Sequence, residues 1–222
     1  GAHLHDYEKS PRQGRKVAYL TIASFVIAVV SLGVGRLLPS SHGAPKKVQP
    51  AVQGLPEVAV LMRHGLEYMQ QDDGGSIYLR LSTRSLAQPE RALTQAQQAD
   101  IVSGGYWYAP PEDGADVAIV AIGAVTPEAV AAHESVARDF GGAGLLVLTS
   151  PDRLHTDWLA AQRNRGRTTG QVDRSPSPIE RLLAPLSRDA RIVTVMDGHP
   201  LALSWLGSVR GQRVVPLGIE KF

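Results

Sequence analysis

The stretch "DVAIVAIGA" at residues 116–124 decides the fold, because eight of its nine residues have no polar side chain. Three further runs rich in aliphatic residues follow it, at residues 143–150, 190–198 and 212–219. Continuous apolar runs of this length are typical of strands that helices cover on both faces of a parallel sheet. Between these runs, apolar residues recur at the spacing of helices. The predicted helices are residues 128–140, 152–165, 179–186 and 201–209. This alternation of strands and helices with short joints predicts a layered α/β fold.

The joints between these strands and helices share one design. Thr126, Ser150 and His199 each stand immediately before a proline. Serine and threonine are favoured N-cap residues because their side-chain oxygen accepts an unpaired N–H of the first helical turn. Proline is favoured at the first helical position, and "SPIE" at residues 177–180 has the pattern of a capping box. These signals predict where the helices start, and we expect the joints to line one edge of the sheet.

The third joint places Asp197, His199 and Ser204 within eight residues. A nucleophilic serine needs a base within hydrogen-bonding distance and a third group that orients the base. Ser204 lacks the strained G-x-S-x-G turn of such nucleophiles, so we expect it to be an ordinary helix residue and Asp197-Gly198 to form a turn. His199 remains the candidate catalytic residue of this stretch, because histidine is not a favoured N-cap.

The other histidines show no catalytic or metal-binding pattern. His155 and Asp157 are two residues apart, so they cannot form the i, i+4 pair of a helical metal site. His64 and His133 are expected on solvated helix faces. The chain has no cysteine and no phosphate-binding glycine loop, so we assign no metal-ligating or cofactor-binding residue from the sequence. The helix at 201–209 is predicted to pack on the sheet through Leu201, Trp205 and Val209.

The N-terminal fifth differs from the remainder in charge. Residues 1–50 contain seven Lys or Arg against two acidic residues, and the remainder contains sixteen against nineteen. A mildly acidic body argues against nucleic-acid binding. Residues 17–35 carry no charge, which predicts a transmembrane helix. Together with the basic tail that precedes it, this helix makes up residues 1–38. The more basic side of the helix is expected in the cytoplasm. Residues 39–54 are predicted to be a linker, and residues 1–45 resemble the last membrane helix of cytochrome c assembly proteins.

The next part of the chain carries one helix signal and one strand signal. An amphipathic helix is predicted at residues 56–69 and a half-buried strand at residues 76–83. The polar, Pro/Gly-bounded segment 85–105 is predicted to be an interdomain connection. Because the chain begins without a methionine and ends directly after an apolar run, we expect it to be a piece of a longer protein.

Three segments resemble one family when they are taken in order: 56–89, 104–158 and 214–222. They are similar to the C-terminal third of homodimeric, pyruvate-dehydrogenase-type 2-oxoacid dehydrogenases, in the transketolase-like thiamine diphosphate superfamily. The resemblance covers residues 55–222. It implies that residues 55–98 close a pyrimidine-binding-type domain and lead out of it. It also implies that residues 99–222 form a transketolase C-terminal-like domain, a three-layer α/β/α sandwich with a mostly parallel sheet.

The resemblance implies oxidative decarboxylation of a 2-oxoacid, in which thiamine diphosphate attacks the ketone and the acyl group passes to a lipoyl-bearing acyltransferase. In that family the activating glutamate and the Mg²⁺ site lie upstream of the part matched here, so no catalytic or cofactor-binding residue is carried over. We therefore expect thiamine diphosphate and Mg²⁺ in the complete enzyme and not on this chain alone. The resemblance also implies a cytoplasmic homodimer, with this part serving dimerisation.

A second interpretation belongs to another class of protein. The uncharged segment 17–35 would anchor the chain in a membrane, and the α/β domain would serve only as an interaction module. The sequence leaves both interpretations open.

Overall fold

The computed structural model describes residues 17–21, 56–81, 91–166 and 174–220. Seven strands are present in these ranges: β1 (Val17–Thr21), β2 (Ser76–Arg80), β3 (Gly105–Ala109), β4 (Ala115–Ile122), β5 (Gly144–Leu148), β6 (Leu186–Met196) and β7 (Arg213–Leu217). The α-helices there are α1 (Pro56–Met69), α2 (Gln95–Ser103), α3 (Thr126–Asp139), α4 (Pro151–Arg165), α5 (Pro178–Leu182) and α6 (Leu206–Arg210). Two 3₁₀ turns, Gly123–Val125 and Pro200–Leu203, precede α3 and α6.

Five strands form one mixed sheet in the order β3-β5-β4-β6-β7. β4 pairs in parallel with β5 and β6, and β6 pairs in parallel with β7. β3 is antiparallel to β5 at the edge. The predicted α/β fold with a mostly parallel sheet is therefore confirmed.

Helices cover the sheet from both sides. On one face, sheet residues Val120, Leu146 and Ile192 share a buried cluster with Leu154 of α4 and Leu206 of α6. On the other face, α3 packs over β4 and β5 through a second cluster, made of Ile119, Ala121, Ala129 and Leu145. A third cluster joins α1 and α2 to β3 and β5, and it contains Val58, Leu61, Ile101, Tyr106 and Val147.

The N-terminal segment departs from its prediction. The expected helix at 17–35 is wrong over Val17–Thr21, which form a strand paired in parallel with β2. Pairing with β2 satisfies backbone groups there, and the β-branched and aromatic residues of "VAYLT" favour a strand. Residues 22–35 and the linker at 39–54 lie outside the described part of the chain. Within that part, no helix has the length and apolar character needed to span a membrane.

The polar segment at 85–105 contains a helix and the start of a strand that we did not predict. Thr94 begins α2 with a capping box, in which its hydroxyl accepts the N–H of Gln97 at 3.2 Å. The Gln97 side chain accepts the N–H of Thr94 at 3.1 Å in return. Only Ile101 of α2 is buried, so the helix shows almost no apolar periodicity. The edge strand β3 follows at once, directly after Gly104.

Two helix boundaries also differ from prediction. The helix expected at 179–186 ends at Leu182, and β6 begins at Leu186 instead of residue 190. The helix expected at 201–209 is a 3₁₀ turn followed by α6.

Candidate functional site

The carboxyl ends of β4 and β6 form the position in this sheet where a ligand crevice is expected. From β4 the chain crosses to β5 on one side, and from β6 it continues to β7 on the other. Ligands of open α/β sheets bind outside the carboxyl ends of the strands at such a switch in direction. The loops that meet here are residues 123–126 and 197–200, the first and third of the predicted joints.

Gly123 brings the two loops close together. Its φ of +80° lies in the left-handed region that favours glycine, and a Cβ at this position would be 3.9 Å from Cβ of Asp197. Thr126 is not the N-cap that the sequence predicted. The 3₁₀ turn makes Val125 the cap residue, and the Thr126 hydroxyl donates to the Gly123 carbonyl oxygen at 2.9 Å.

His199 occupies the cap position that its place before Pro200 predicted. Its Nδ1 accepts the N–H of Leu201 at 3.3 Å, so in this arrangement the neutral ring carries its proton on Nε2. The side chain is exposed. The imidazole can therefore donate a hydrogen bond outward from Nε2, while its lone pair on Nδ1 is already used by the backbone.

Ser204 has the ordinary structural role that we expected. Its hydroxyl donates to the Leu201 carbonyl oxygen at 2.7 Å. Because that proton is held by the backbone, Ser204 and His199 do not form a nucleophile–base pair here. Asp197 is exposed and lies in the bend between β6 and the 3₁₀ turn.

The predicted packing stripe of this helix is wrong at its first member. Leu201 is 62% exposed, whereas Leu203, Leu206 and Val209 are buried. Residues 200–203 form a 3₁₀ turn with three residues per turn, so the α-helical spacing of four from Leu201 to Trp205 does not apply there.

An aromatic cluster lies beside this turn, and the sequence did not predict it. The rings of His155 and Trp205 have centroids 4.8 Å apart, and Trp158 lies 5.9 Å from each of them. His155 and Trp158 are one helical turn apart in α4, which was the only available signal. His155 therefore packs against aromatic rings.

Among the described residues, His64 and His133 are more buried than predicted. His133 is half-buried, and its Nε2 donates to the Ala143 carbonyl oxygen at 2.9 Å, which ties α3 to the segment before β5. His64 is half-buried and stacks on Tyr68. Burial lowers the pKa of His64, the charge of Arg153 lowers it further, and Glu67 opposes both.

The described side chains do not offer a site for Mg²⁺. Within residues 56–81, 91–166 and 174–220, no group of three or more His, Cys, Asp or Glu side chains could hold a metal ion. We therefore derive no reaction step through a bound cofactor. Among these residues the carboxyl edge offers one outward hydrogen-bond donor on His199 and one exposed carboxylate on Asp197.

Comparisons with known proteins gave only distant structural likenesses. No family model and no curated protein matches the chain. Among solved structures it is similar to Pichia stipitis transketolase in complex with sedoheptulose-7-phosphate, at 18% identity and a TM-score of 0.46, over 75% of this chain and 19% of that chain. A complex of a mutant of that enzyme with xylulose-5-phosphate gives the same values, and another mutant gives 20% identity and a TM-score of 0.45 over the same shares. The chain thus spans about a fifth of the length of the transketolase chains to which it is similar.

Proposed function

We propose that this chain is the C-terminal portion of a thiamine-diphosphate-dependent 2-oxoacid dehydrogenase of the pyruvate type. In this proposal the chain serves assembly and does not supply the catalytic groups. The observation that carries the assembly role is an apolar area of the sheet that the described helices leave open.

The open area lies on the face of the sheet that α3 covers elsewhere. Ile119 of β4 lies under α3, its neighbour in β6 is Val193, and the next neighbour in β7 is Val215. Val215 is 38% exposed, and Leu217, two residues farther along the same face, is 50% exposed. Exposed apolar side chains that lie side by side on a sheet face favour contact with another protein surface.

Two further observations support the identity of the larger protein. The segments at 56–89, 104–158 and 214–222 resemble this family in the correct order, and the described sheet has the mixed, mostly parallel arrangement that the resemblance implies. The edge strand β3, which the sequence did not predict, is the antiparallel member of that sheet.

The remaining features of the proposal belong to the complete enzyme. Thiamine diphosphate and Mg²⁺ bind upstream of this portion, the enzyme is a cytoplasmic homodimer, and a lipoyl-bearing acyltransferase receives the acyl group. The membrane-anchored interpretation depends on the segment 17–35, whose described residues Val17–Thr21 form a strand, and we therefore prefer the enzyme.

Activity tests the proposed identity. The complete chain, supplied with thiamine diphosphate and Mg²⁺, should decarboxylate at least one member of a panel of 2-oxoacids, and the 222-residue chain alone should not. Turnover by the 222-residue chain, or none by the complete chain on any substrate, contradicts the proposal.

Sedimentation velocity tests the assembly role separately. Leu217→Glu in the complete chain should shift the dimer toward monomer, because it places a carboxylate in the apolar contact. Phe140→Glu is the matched control, since Phe140 is also exposed, at 56%, but lies at the end of α3. An unchanged dimer with Leu217→Glu, or equal dissociation by both variants, excludes this face as the contact.

A further inference from the structure

An open pocket of about 370 Å³ lies at the opposite edge of the sheet from the candidate functional site. It is formed where α5, the first residues of β6 and the end of α6 come together. Three arginines line it, Arg181, Arg188 and Arg210, together with Glu180 and a few small or apolar residues. The arginines are seven and twenty-two residues apart in the sequence, so only the fold brings them together.

The carboxylate in the pocket wall is already occupied. Oε2 of Glu180 accepts the N–H and the hydroxyl of Ser177, at 2.7 and 2.8 Å. Its Oε1 accepts from Nη2 of Arg165 at 2.7 Å. Burial acts to raise the pKa of Glu180, but these contacts outweigh it and hold the pKa below its usual range. Glu180 is therefore committed to partners outside the three arginines.

The three arginines lack close acidic partners in the described part of the chain. None of them forms an ion pair there. The carboxyl of Asp100 in α2 interacts electrostatically with Arg181. Burial raises the pKa of Asp100, and the guanidinium of Arg181 opposes this rise. The pocket thus keeps an excess of positive charge, which a small domain does not concentrate without a reason in binding or solubility.

One of the arginines is held in place by a hydrogen bond to the backbone. Nη1 of Arg181 donates to the Pro176 carbonyl oxygen at 2.8 Å. Nε of Arg210 is buried and has no hydrogen-bond partner among the described residues, although a buried donor left unpaired destabilises the fold. The buried side chain of Gln212 donates to the Ser187 carbonyl oxygen at 2.9 Å. This bond holds the turn after Arg210 against the start of β6, next to Arg188.

We propose that this pocket binds a small phosphorylated anion of the diphosphate class. A guanidinium group presents a planar fork of donors that matches the oxygens of a phosphoryl group. Three such groups around one pocket match a ligand with several adjacent negative charges, and a single carboxylate would neutralise only one of them. The volume is within the range of small-ligand sites, about 300–1,000 Å³. The proposal stands independently of the proposed enzymatic function.

Calorimetric titration of the 222-residue chain with inorganic pyrophosphate tests the proposal. We expect saturable binding to one site that weakens as salt is added. Arg188→Gln and Arg210→Gln should each weaken it by about tenfold or more. Arg138→Gln, which removes the same charge from an exposed position on α3, should change it by less than about twofold.

The titrations distinguish binding in this pocket from binding elsewhere on the surface. Absence of saturable binding, or equal weakening by Arg138→Gln, excludes the pocket as the binding site. Succinate is the comparison ligand, and binding of succinate as tight as that of pyrophosphate would show that phosphoryl groups are not preferred. If thermal melting shows that Arg210→Gln does not fold, the exposed Arg188 still provides a variant in which the fold is retained.

Discussion

The buried hydrogen bond between Tyr106 and Glu57 provides the sharpest test of how residues 56–81 are held on the sheet. The Tyr106 hydroxyl donates to Oε1 of Glu57 at 2.8 Å, across 49 residues of sequence. Tyr106 is 2% exposed and belongs to the cluster that joins α1 and α2 to β3. Burial raises the pKa of this phenol, and the neighbouring Glu57 raises it further. The hydroxyl is therefore protonated and able to donate at neutral pH.

Tyr106→Phe removes this one donor and keeps the ring that fills the cluster. Deleting one partner of a buried hydrogen bond to a charged group costs about 1–3 kcal/mol, because the carboxylate is left short of a donor. The transfer free energy of the ring changes little, since the ring remains buried. For a folded unit of this size, about 2 kcal/mol lowers the midpoint of thermal unfolding by roughly 4–8 °C.

Urea unfolding, followed by circular dichroism, measures this free energy directly. Tyr108→Phe is the matched control, because Tyr108 lies two residues farther along β3, is half-buried, and makes no hydroxyl hydrogen bond to the described residues. We expect the control to change stability by less than about 0.5 kcal/mol. Equal effects of the two substitutions, or no effect of Tyr106→Phe, would refute the role of this bond in holding α1 to the sheet.

Three further sets of substitutions test other contacts by the same unfolding assay. His199→Ser should keep the cap and the stability of the 3₁₀ turn, whereas His199→Ala should lose about 0.5–1 kcal/mol; equal stability of the two would show that the imidazole does not act as a cap. Leu206→Ala should cost about 2–5 kcal/mol because Leu206 is fully buried, while the exposed Leu201→Ala should change stability by less than about 0.5 kcal/mol; the reverse order contradicts the 3₁₀ start of this segment. Because the folded-state pKa of Glu180 is lowered, its contribution is present above the usual glutamate pKa of about 4.3 and is lost as pH falls through the folded value. Glu180→Gln should therefore reduce stability at neutral pH and flatten its fall toward about pH 3, and an unchanged pH profile would contradict the capping box with Ser177.

The parallel strands were predictable because their signal is local. The run at 116–124 is buried on both faces as β4, so its apolar residues need no particular periodicity to indicate a strand. The capping box at Ser177–Glu180 was predictable for the same reason, since all of its atoms lie within four residues. β3 was missed although its aromatic residues Tyr106, Trp107 and Tyr108 favour a strand, and its antiparallel pairing with β5 was not visible in the sequence. The helix α2 was missed although Thr94 and Gln97 have the spacing of a capping box, because Ile101 is its one buried side chain and its apolar periodicity is weak.

The candidate sites could be predicted less well, because they depend on contacts that are distant in the sequence. The place of His199 before a proline located the cap, but only the structure shows that Nδ1 is the acceptor and that Ser204 donates to a carbonyl group. The pocket of three arginines has no sequence motif, since Arg181, Arg188 and Arg210 lie in three different elements. In both cases the residue types were visible in the sequence, whereas their partners were set by the packing of β6 and α6.

Three polar side chains near the carboxyl ends of the strands already form hydrogen bonds with the backbone. A general base needs a free lone pair directed at the substrate, but the Nδ1 lone pair of His199 already accepts a backbone N–H. A nucleophilic hydroxyl needs a proton that it can give to a base, but Ser204 and Thr149 both donate to backbone carbonyl oxygens, at 2.7 Å in each case. These side chains therefore stabilise the ends of strands and helices. In the assembly role proposed above, the exposed side chains of Val215 and Leu217 would contact another protein.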